Sequence, residues 1–237
     1  MKSLYSFLFI VFLLNSQPIF AQVKNCQTNK SAANTSAIYY SPENLRSDTF
    51  DIIKYTINLD ITDFTNQKIK GHTVVCYAPK LNGQTSLSLD LLKLTIDSIS
   101  QNTTNLTYTY NDTLLRINLP IAVNIIDTNN VIVYYHGAPQ GDPSGWGGFS
   151  FSGNYAYNLG VGFGAKPHNY GRVWFPCFDN FVEKSLYEFN ITTALNKTSY
   201  CNGALISDIT NGGVHTRRWV LDKEIPTYLA SVAVADY

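Results

Sequence analysis

The sequence predicts an all-β fold, an antiparallel β-sandwich or saddle-shaped sheet domain preceded by a signal peptide, on three observations. Apolar residues recur at every second position along most of the chain, short Asn- and Gly-containing turns punctuate those runs, and no segment carries a long helical apolar stripe. Alternation of this kind buries one strand face and leaves the other to water. Many short strands so patterned need a second layer to cover them.

The elements follow in chain order. Residues 1–21 place Lys2 ahead of an apolar stretch from Phe7 to Leu14 and end on Ile19-Phe20-Ala21, the pattern of a cleaved secretory signal peptide. The apolar stretch is well short of the roughly 20 residues that a membrane-spanning helix needs. The expected location is therefore secreted, that is periplasmic or extracellular, with no membrane contact after cleavage. Residues 22–47 are rich in Asn, Ser, Thr and Gln and read as a polar N-terminal segment. The β-domain is expected over residues 48–237.

Within it, Tyr55 to Ile61 alternates cleanly and puts Tyr55, Ile57, Leu59 and Ile61 on one face. Further strands are expected at His72 to Tyr77, Ser86 to Leu91, Leu94 to Ile99, Leu106 to Tyr110, Leu114 to Leu119 and Val131 to Tyr135. The second half adds Tyr187 to Ile191, Ala204 to Ile206, Arg217 to Leu221 and Tyr228 to Ala235. Asn82-Gly83, Asn111-Asp112 and Asn211-Gly212-Gly213 are expected to turn hairpins. Gly137 to Asn169 differs, because Gly, Pro and aromatics concentrate there, as in Gly145-Trp146-Gly147-Gly148-Phe149-Ser150-Phe151. It reads as a long loop packed onto the sheet by its aromatics; the competing reading gives those rings to a ligand.

Composition narrows the function classes. Loss of Lys2 with the leader leaves 16 Lys and Arg against 17 Asp and Glu, so nothing recommends nucleic acid or an anionic membrane as a partner. With 14% aromatic and only 14% charged residues, the chain has the apolar content for a sizeable core. Cys26, Cys76, Cys177 and Cys201 all fall in the exported part, where disulfides are permitted. Three pairings are possible; Cys177 with Cys201 is favoured because both fall at the ends of strands expected to be neighbours. A zinc site built from the four is disfavoured, since no C-x-x-C pair occurs.

Chemical motifs are scarce. His72, His136, His168 and His215 are too dispersed to share a helix face or a strand, whereas zinc needs three or four converging ligands. His72 and His136 are expected at strand ends. No G-x-S-x-G elbow is present. Gly160-Val161-Gly162-Phe163-Gly164 lacks the Lys and Ser/Thr of a phosphate loop and reads as a flexible or closely packed strand end. Glu183 and Glu188 read as solvated charges.

The most specific string is Tyr170-Gly171-Arg172-Val173-Trp174-Phe175-Pro176-Cys177-Phe178-Asp179. It resembles the R-x-x-F-P-C-F-D signature of the N-terminal β-domain of the aminopeptidase N family of zinc metallopeptidases, the gluzincins. Weaker likenesses keep the family's order over residues 48–237: Asp51 to Ile61, Ile69 to Val74, Leu89-Asp90-Leu91 with Leu94-Thr95-Ile96, Val131 to Gly137, and Ile225 to Ala230.

The resemblance implies a non-catalytic domain that roofs the active-site cleft of a catalytic metallopeptidase domain, its partner, and meets peptide substrate only indirectly. Zinc is expected only in that catalytic domain, which carries H-E-x-x-H and a Gly-x-Met-Glu-Asn segment. This sequence contains neither, so it is expected to be inactive alone, as a fragment or a truncated product. Arg172, Pro176, Cys177 and Asp179 are structural on this reading: Pro176 interrupts strand bonding, and Arg172 can pair with Asp179. About five residues before that Arg the family places a Gln or Glu that reaches toward the substrate amine. Here the place is Pro167, flanked by Lys166 and His168, which makes these three the candidate substrate-binding residues. The rivals are a stand-alone secreted binding or adhesion module for peptide or glycan, using the Gly145 to Phe151 aromatics, and a hydrolase assembled from His136, His168 or His215.

Overall fold

The structure, a computed structural model, describes residues 42–237, with side chains from Arg46 onward. The expected signal peptide, Cys26 and most of the polar segment lie outside the described residues. Helix α1 (Pro42–Thr49) leads directly into β1 (Phe50–Asp63). There follow β2 (Lys68–Pro79), β3 (Gln84–Asp90), β4 (Thr95–Gln101), β5 (Thr104–Asn105), β6 (Tyr108–Tyr110), β7 (Leu114–Val123) and β8 (Asn129–Gly137). The second half holds β9 (Gly147–Ser152), β10 (Tyr155–Gly162), β11 (Ser185–Ala194), β12 (Thr198–Cys201), β13 (Ala204–Asn211), β14 (Val214–Ile225) and β15 (Val232–Ala235).

Three sheets form. The largest has eight strands in the order β13-β14-β11-β1-β2-β8-β4-β5; a second has four, β12-β15-β10-β9; a third has three, β3-β7-β6. The pairing is antiparallel except at the centre of the large sheet, where β1 and β11 run parallel with Tyr55 opposite Tyr187 and Leu59 opposite Ile191. The wholly antiparallel expectation is corrected there. More than 120 residues separate those two strands, and the intervening small sheets form the crossover that a parallel pair requires.

The alternation in β1 does what period-two burial dictates: Tyr55, Ile57, Leu59 and Ile61 are buried while Thr56, Asn58 and Asp60 face outward. Their ring partners come from β11 and from the signature run. Tyr55 packs edge-on against Phe175 at 5.4 Å, and Trp174 lies between Phe175 and Phe189 at 4.7 and 6.4 Å. The small sheets close the core with Leu87, Leu89, Leu115 and Ile117 on one side and Ala156, Val232 and Val234 on the other.

Several local expectations change. Asn82-Gly83 does not turn a hairpin, because β2 and β3 belong to different sheets; Gly83 (φ +74°) redirects the chain between layers. Asn111-Asp112 and Asn211-Gly212-Gly213 do turn the β6–β7 and β13–β14 hairpins. The long loop expected from Gly137 to Asn169 contains the β9–β10 hairpin, hidden from the sequence by its glycines. Of the strand expected at Leu106 to Tyr110 only β6 (Tyr108–Tyr110) forms, and Tyr228 to Ala235 divides into a 3-10 turn (Thr227–Leu229) and β15. His72 lies within β2 rather than at its end and stacks on Tyr134 at 4.9 Å. Glu183 is buried, accepting the Ile52 amide at 2.8 Å, and Glu188 is held between Lys54 and Arg218, so neither is a simply solvated charge.

Cys177 and Cys201 are both free thiols, which overturns the expected disulfide. Cys177 is fully buried and bridges its backbone to Asp90, whereas Cys201 ends β12 in the four-stranded sheet.

A close backbone approach constrains the large sheet. A Cβ on Gly71 would lie 2.0 Å from the Asn58 carbonyl oxygen on β1. Gly71→Ala should therefore force the β1–β2 pair apart and lower unfolding free energy by about 1–3 kcal/mol or more, read as a fall in the urea midpoint. An unchanged midpoint would show that the strands can slide apart at no cost.

Candidate functional site

The signature run is stitched into the core by its backbone. Asp90, at the end of β3, exchanges two hydrogen bonds with Cys177, donating its amide at 2.7 Å and accepting the Cys177 amide at 3.0 Å. Leu92 donates to the Arg172 carbonyl at 2.8 Å, and Phe178 donates to the Tyr55 hydroxyl at 2.9 Å. Pro176, which lacks an amide hydrogen, falls in the irregular stretch before this bridge, where no ladder bond is needed.

Asp179 closes the run. Its carboxyl is fully buried and accepts from the Gly171 amide (3.1 Å), the Arg172 amide (3.2 Å) and the Thr227 hydroxyl (2.8 Å). The Arg172 guanidinium stands 3.7 Å away, so the expected pairing forms. The Asp179 amide in turn donates to Asp90 Oδ2 at 3.0 Å, and Arg46 of α1 donates to the same oxygen at 2.8 Å. Two buried carboxyls and two arginines thus make one network joining α1, β3, the signature and the Thr227 turn. Burial pushes the Asp179 carboxyl up to about 6, against the pull of Arg172 and with the Asp90 charge adding to the rise. Sequence reasoning missed Arg46, Asp90 and Thr227 as its partners, because nothing local signals contacts over such separations.

The Lys166, Pro167 and His168 candidates sit on a tight loop. Val161 bridges to Asn169, Gly162 donates its amide to the His168 carbonyl at 2.9 Å, and the His168 ring contacts the Gly162 carbonyl through Nδ1 at 3.0 Å. The Lys166–Pro167 peptide is cis, and Arg172 Nη2 donates to the Pro167 carbonyl at 3.3 Å. The loop is therefore anchored to the signature, but Pro167 offers no side-chain polar group to a substrate.

A second anchor was not foreseen. Asp142 takes the Ser144 amide at 3.0 Å and the Gly164 amide at 2.8 Å, with the Ser144 hydroxyl also on its Oδ2. Burial works against its charge, yet these bonds outweigh it and hold the carboxyl below its usual range. The clasp joins the loop before β9 to the loop after β10. Trp146 from the first stacks on Phe163 from the second at 4.7 Å, and both rings remain exposed. The local signal was Asp142-Pro143-Ser144, a turn former; its partner at Gly164 was not legible.

Zinc finds no site. The four histidines stay apart: His72 against Tyr134, His136 on Asp97, His168 on its own loop, His215 on Asp208. Among the described residues no group of three or more His, Cys, Asp or Glu is placed to hold a metal ion.

Comparison with known proteins joins this geometry to a family, since the model of the peptidase M1 N-terminal domain matches residues 52–229. The chain belongs to that family. The M1 N-terminal domain likeness extends to solved structures. A mutant M1 zinc metallopeptidase from Deinococcus radiodurans, bound to a Tyr-Ser-Ala substrate, superposes with a TM-score of 0.71 at 18% identity, over 79% of this chain and 42% of that one. Leukotriene A4 hydrolase from Saccharomyces cerevisiae gives 0.60 at 17% identity, over 79% and 29%. At such identities the likeness shows the fold. The chain spans less than half the length of either protein. Comparison with curated proteins gives no match.

The Asp179 network makes stability depend on pH. Its folded-state value of about 6 lies above the ordinary 3.8, so the folded protein holds the proton more tightly. The stabilisation is complete below about pH 4 and is lost as pH rises through 6. Glu188 acts oppositely: the Arg218 hydrogen bond lowers it to about 2, so its contribution is lost as pH falls from 4.5 toward 2. Between pH 5 and 7 the wild-type urea midpoint should fall more steeply than that of Asp179→Asn. Parallel profiles would assign Asp179 no role.

Proposed function

We propose that this chain is the exported, non-catalytic N-terminal domain of a zinc aminopeptidase, and that its four-stranded sheet packs onto a catalytic domain and roofs the active-site cleft. The observation that carries this reading is the outward face of β10. Tyr155, Tyr157 and Leu159 occupy successive outward positions, and each is more than a third exposed. Tyr200 of β12 stands across the strand pairs from Tyr157, through Ala233 of β15. The large sheet places Asn58, Asp60, Lys70 and Asn190 on its outward face instead. A sheet face meant for water carries polar residues at such positions. An apolar stripe on one sheet of a domain fits a surface that is covered by a partner.

The anchored loop supports the same orientation. Lys166 to His168 occupy the position from which the family reaches toward the substrate amine, and Phe163 and Trp146 lie on the same pair of clasped loops. With Pro167 in that place, substrate contact falls to the flanking Lys166 and His168. The zinc and the peptide-cleaving groups belong to the catalytic domain. The leader-like residues 1–21 support export.

A second reading rests on one specific feature, the exposed Trp146–Phe163 stack. It would suit a stand-alone secreted module that binds peptide or glycan through those rings.

The purified chain, supplied with zinc and amino-acid anilides, should show no turnover; activity that survives chelator controls would defeat the non-catalytic reading. Replacing Tyr157 and Leu159 by Ser should reduce binding of a hydrophobic dye without lowering the unfolding midpoint. If dye binding does not change, the β10 face is not the sticky surface. A glycan or peptide ligand lost on Trp146→Ala would favour the second reading. Exported material should begin at Gln22.

A further inference from the structure

The outward face of the eight-stranded sheet carries a polar row that neither the core nor the proposed domain contact uses. Register places Thr216 opposite Thr192, Thr192 beside Asp60, Asp60 opposite Lys70, Lys70 opposite His136, and His136 opposite Thr95. Partners in register point to the same side of a sheet, so these six residues form one line crossing six strands. From Thr216 to His136 the line borders two adjoining depressions of ≈ 500 and ≈ 310 Å³ that share Asp60 and Lys70.

The groups along the line are held in place yet keep open valences. Asp60 Oδ1 accepts the Thr62 amide at 2.9 Å, leaving Oδ2 free. His136, which lines the larger depression, is fixed by Asp97 through Nδ1 at 2.7 Å, which leaves Nε2 unengaged. Thr192 and Thr216 hold each other hydroxyl to hydroxyl at 2.9 Å, and Asn190, one row over, donates to Asn58 at 3.0 Å. Lys70 forms no ion pair among the described residues. One row along β8 the Tyr134 ring, backed by His72, gives an aromatic surface beside the line.

We propose that this face binds an extended, neutral oligosaccharide laid across the strands. Three features select that chemistry. Acidic and basic groups are mixed in the depressions, Asp60, Asp63 and Asp97 against Lys68, Lys70 and His136, so the floor offers donors and acceptors with little net field for an ion. Those groups recur at the inter-strand spacing of about 4.8 Å, close to the ring-to-ring rise of an extended 1,4-linked glycan. An extended peptide rises by about 3.3 Å per residue and would meet the row out of phase. Its backbone would also find no partner on a sheet face, where the ladder bonds are already made. The Tyr134 ring offers the flat apolar surface on which a pyranose face can stack.

The test uses the full chain with maltohexaose, cellohexaose and chitohexaose as separate probes, titrated by calorimetry beside hexa-alanine. At least one glycan should bind saturably. Lys70→Ala and His136→Ala should each weaken it about tenfold, as loss of one or two hydrogen bonds does, and Trp146→Ala should leave it unchanged. All three substitutions are on the surface, and equal unfolding midpoints establish that the fold is kept. The proposal is overturned if no glycan binds at millimolar concentration, if binding ignores Lys70 and His136, if it is lost with Trp146, or if hexa-alanine takes the same site.

Discussion

The backbone bridge between Asp90 and Cys177, with the Asp179 carboxyl beside it, is the constraint on which the arrangement of the three sheets depends. It ties the end of β3, in the smallest sheet, to a run whose rings fill the core of the largest. Asp90 serves twice, pairing its backbone with Cys177 and offering its carboxylate to the Asp179 amide and to Arg46. The buried carboxyls of Asp90 and Asp179 both have partners in that cluster. That is what a low-dielectric interior demands, since an orphaned group there costs more than a made bond returns. Trp174, Phe175 and Phe178 can then be placed by packing alone, because the backbone between them is already fixed.

The two loops beside the signature are rigid for a related reason. Asp142 accepts the amides of Ser144 and Gly164, one from each loop, and Arg172 reaches back to the Pro167 carbonyl. The exposed Trp146–Phe163 stack and the Lys166 to His168 loop are thus presented on a framework and not on free chain. Presenting groups in this way lowers the ordering cost of any contact they make.

The outward faces of the sheets differ in chemistry. β10 turns Tyr155, Tyr157 and Leu159 outward, whereas β1, β2 and β11 turn out Asn58, Asp60, Lys70 and Asn190. Apolar area seeks cover in proportion to its extent, while a polar row in register remains solvated until a ligand with matching groups replaces the water. The domain therefore offers one face suited to a protein partner and another suited to a polar ligand.

By itself the sequence determined the strand class, the buried face of β1 and the family, because period-two burial and the R-x-x-F-P-C-F-D string are local properties of the chain. It also placed Arg172 next to Asp179. Only the tertiary structure decided the parallel pairing of β1 with β11, the separation of Cys177 from Cys201, the hairpin hidden among the glycines before Asn169, and the burial of Glu183. Each of these depends on which distant segment lies alongside, and that is set by how all the apolar faces are covered at once. The clasp at Asp142 and the row from Thr216 to Thr95 illustrate the same limit, since their members become neighbours only through strand register.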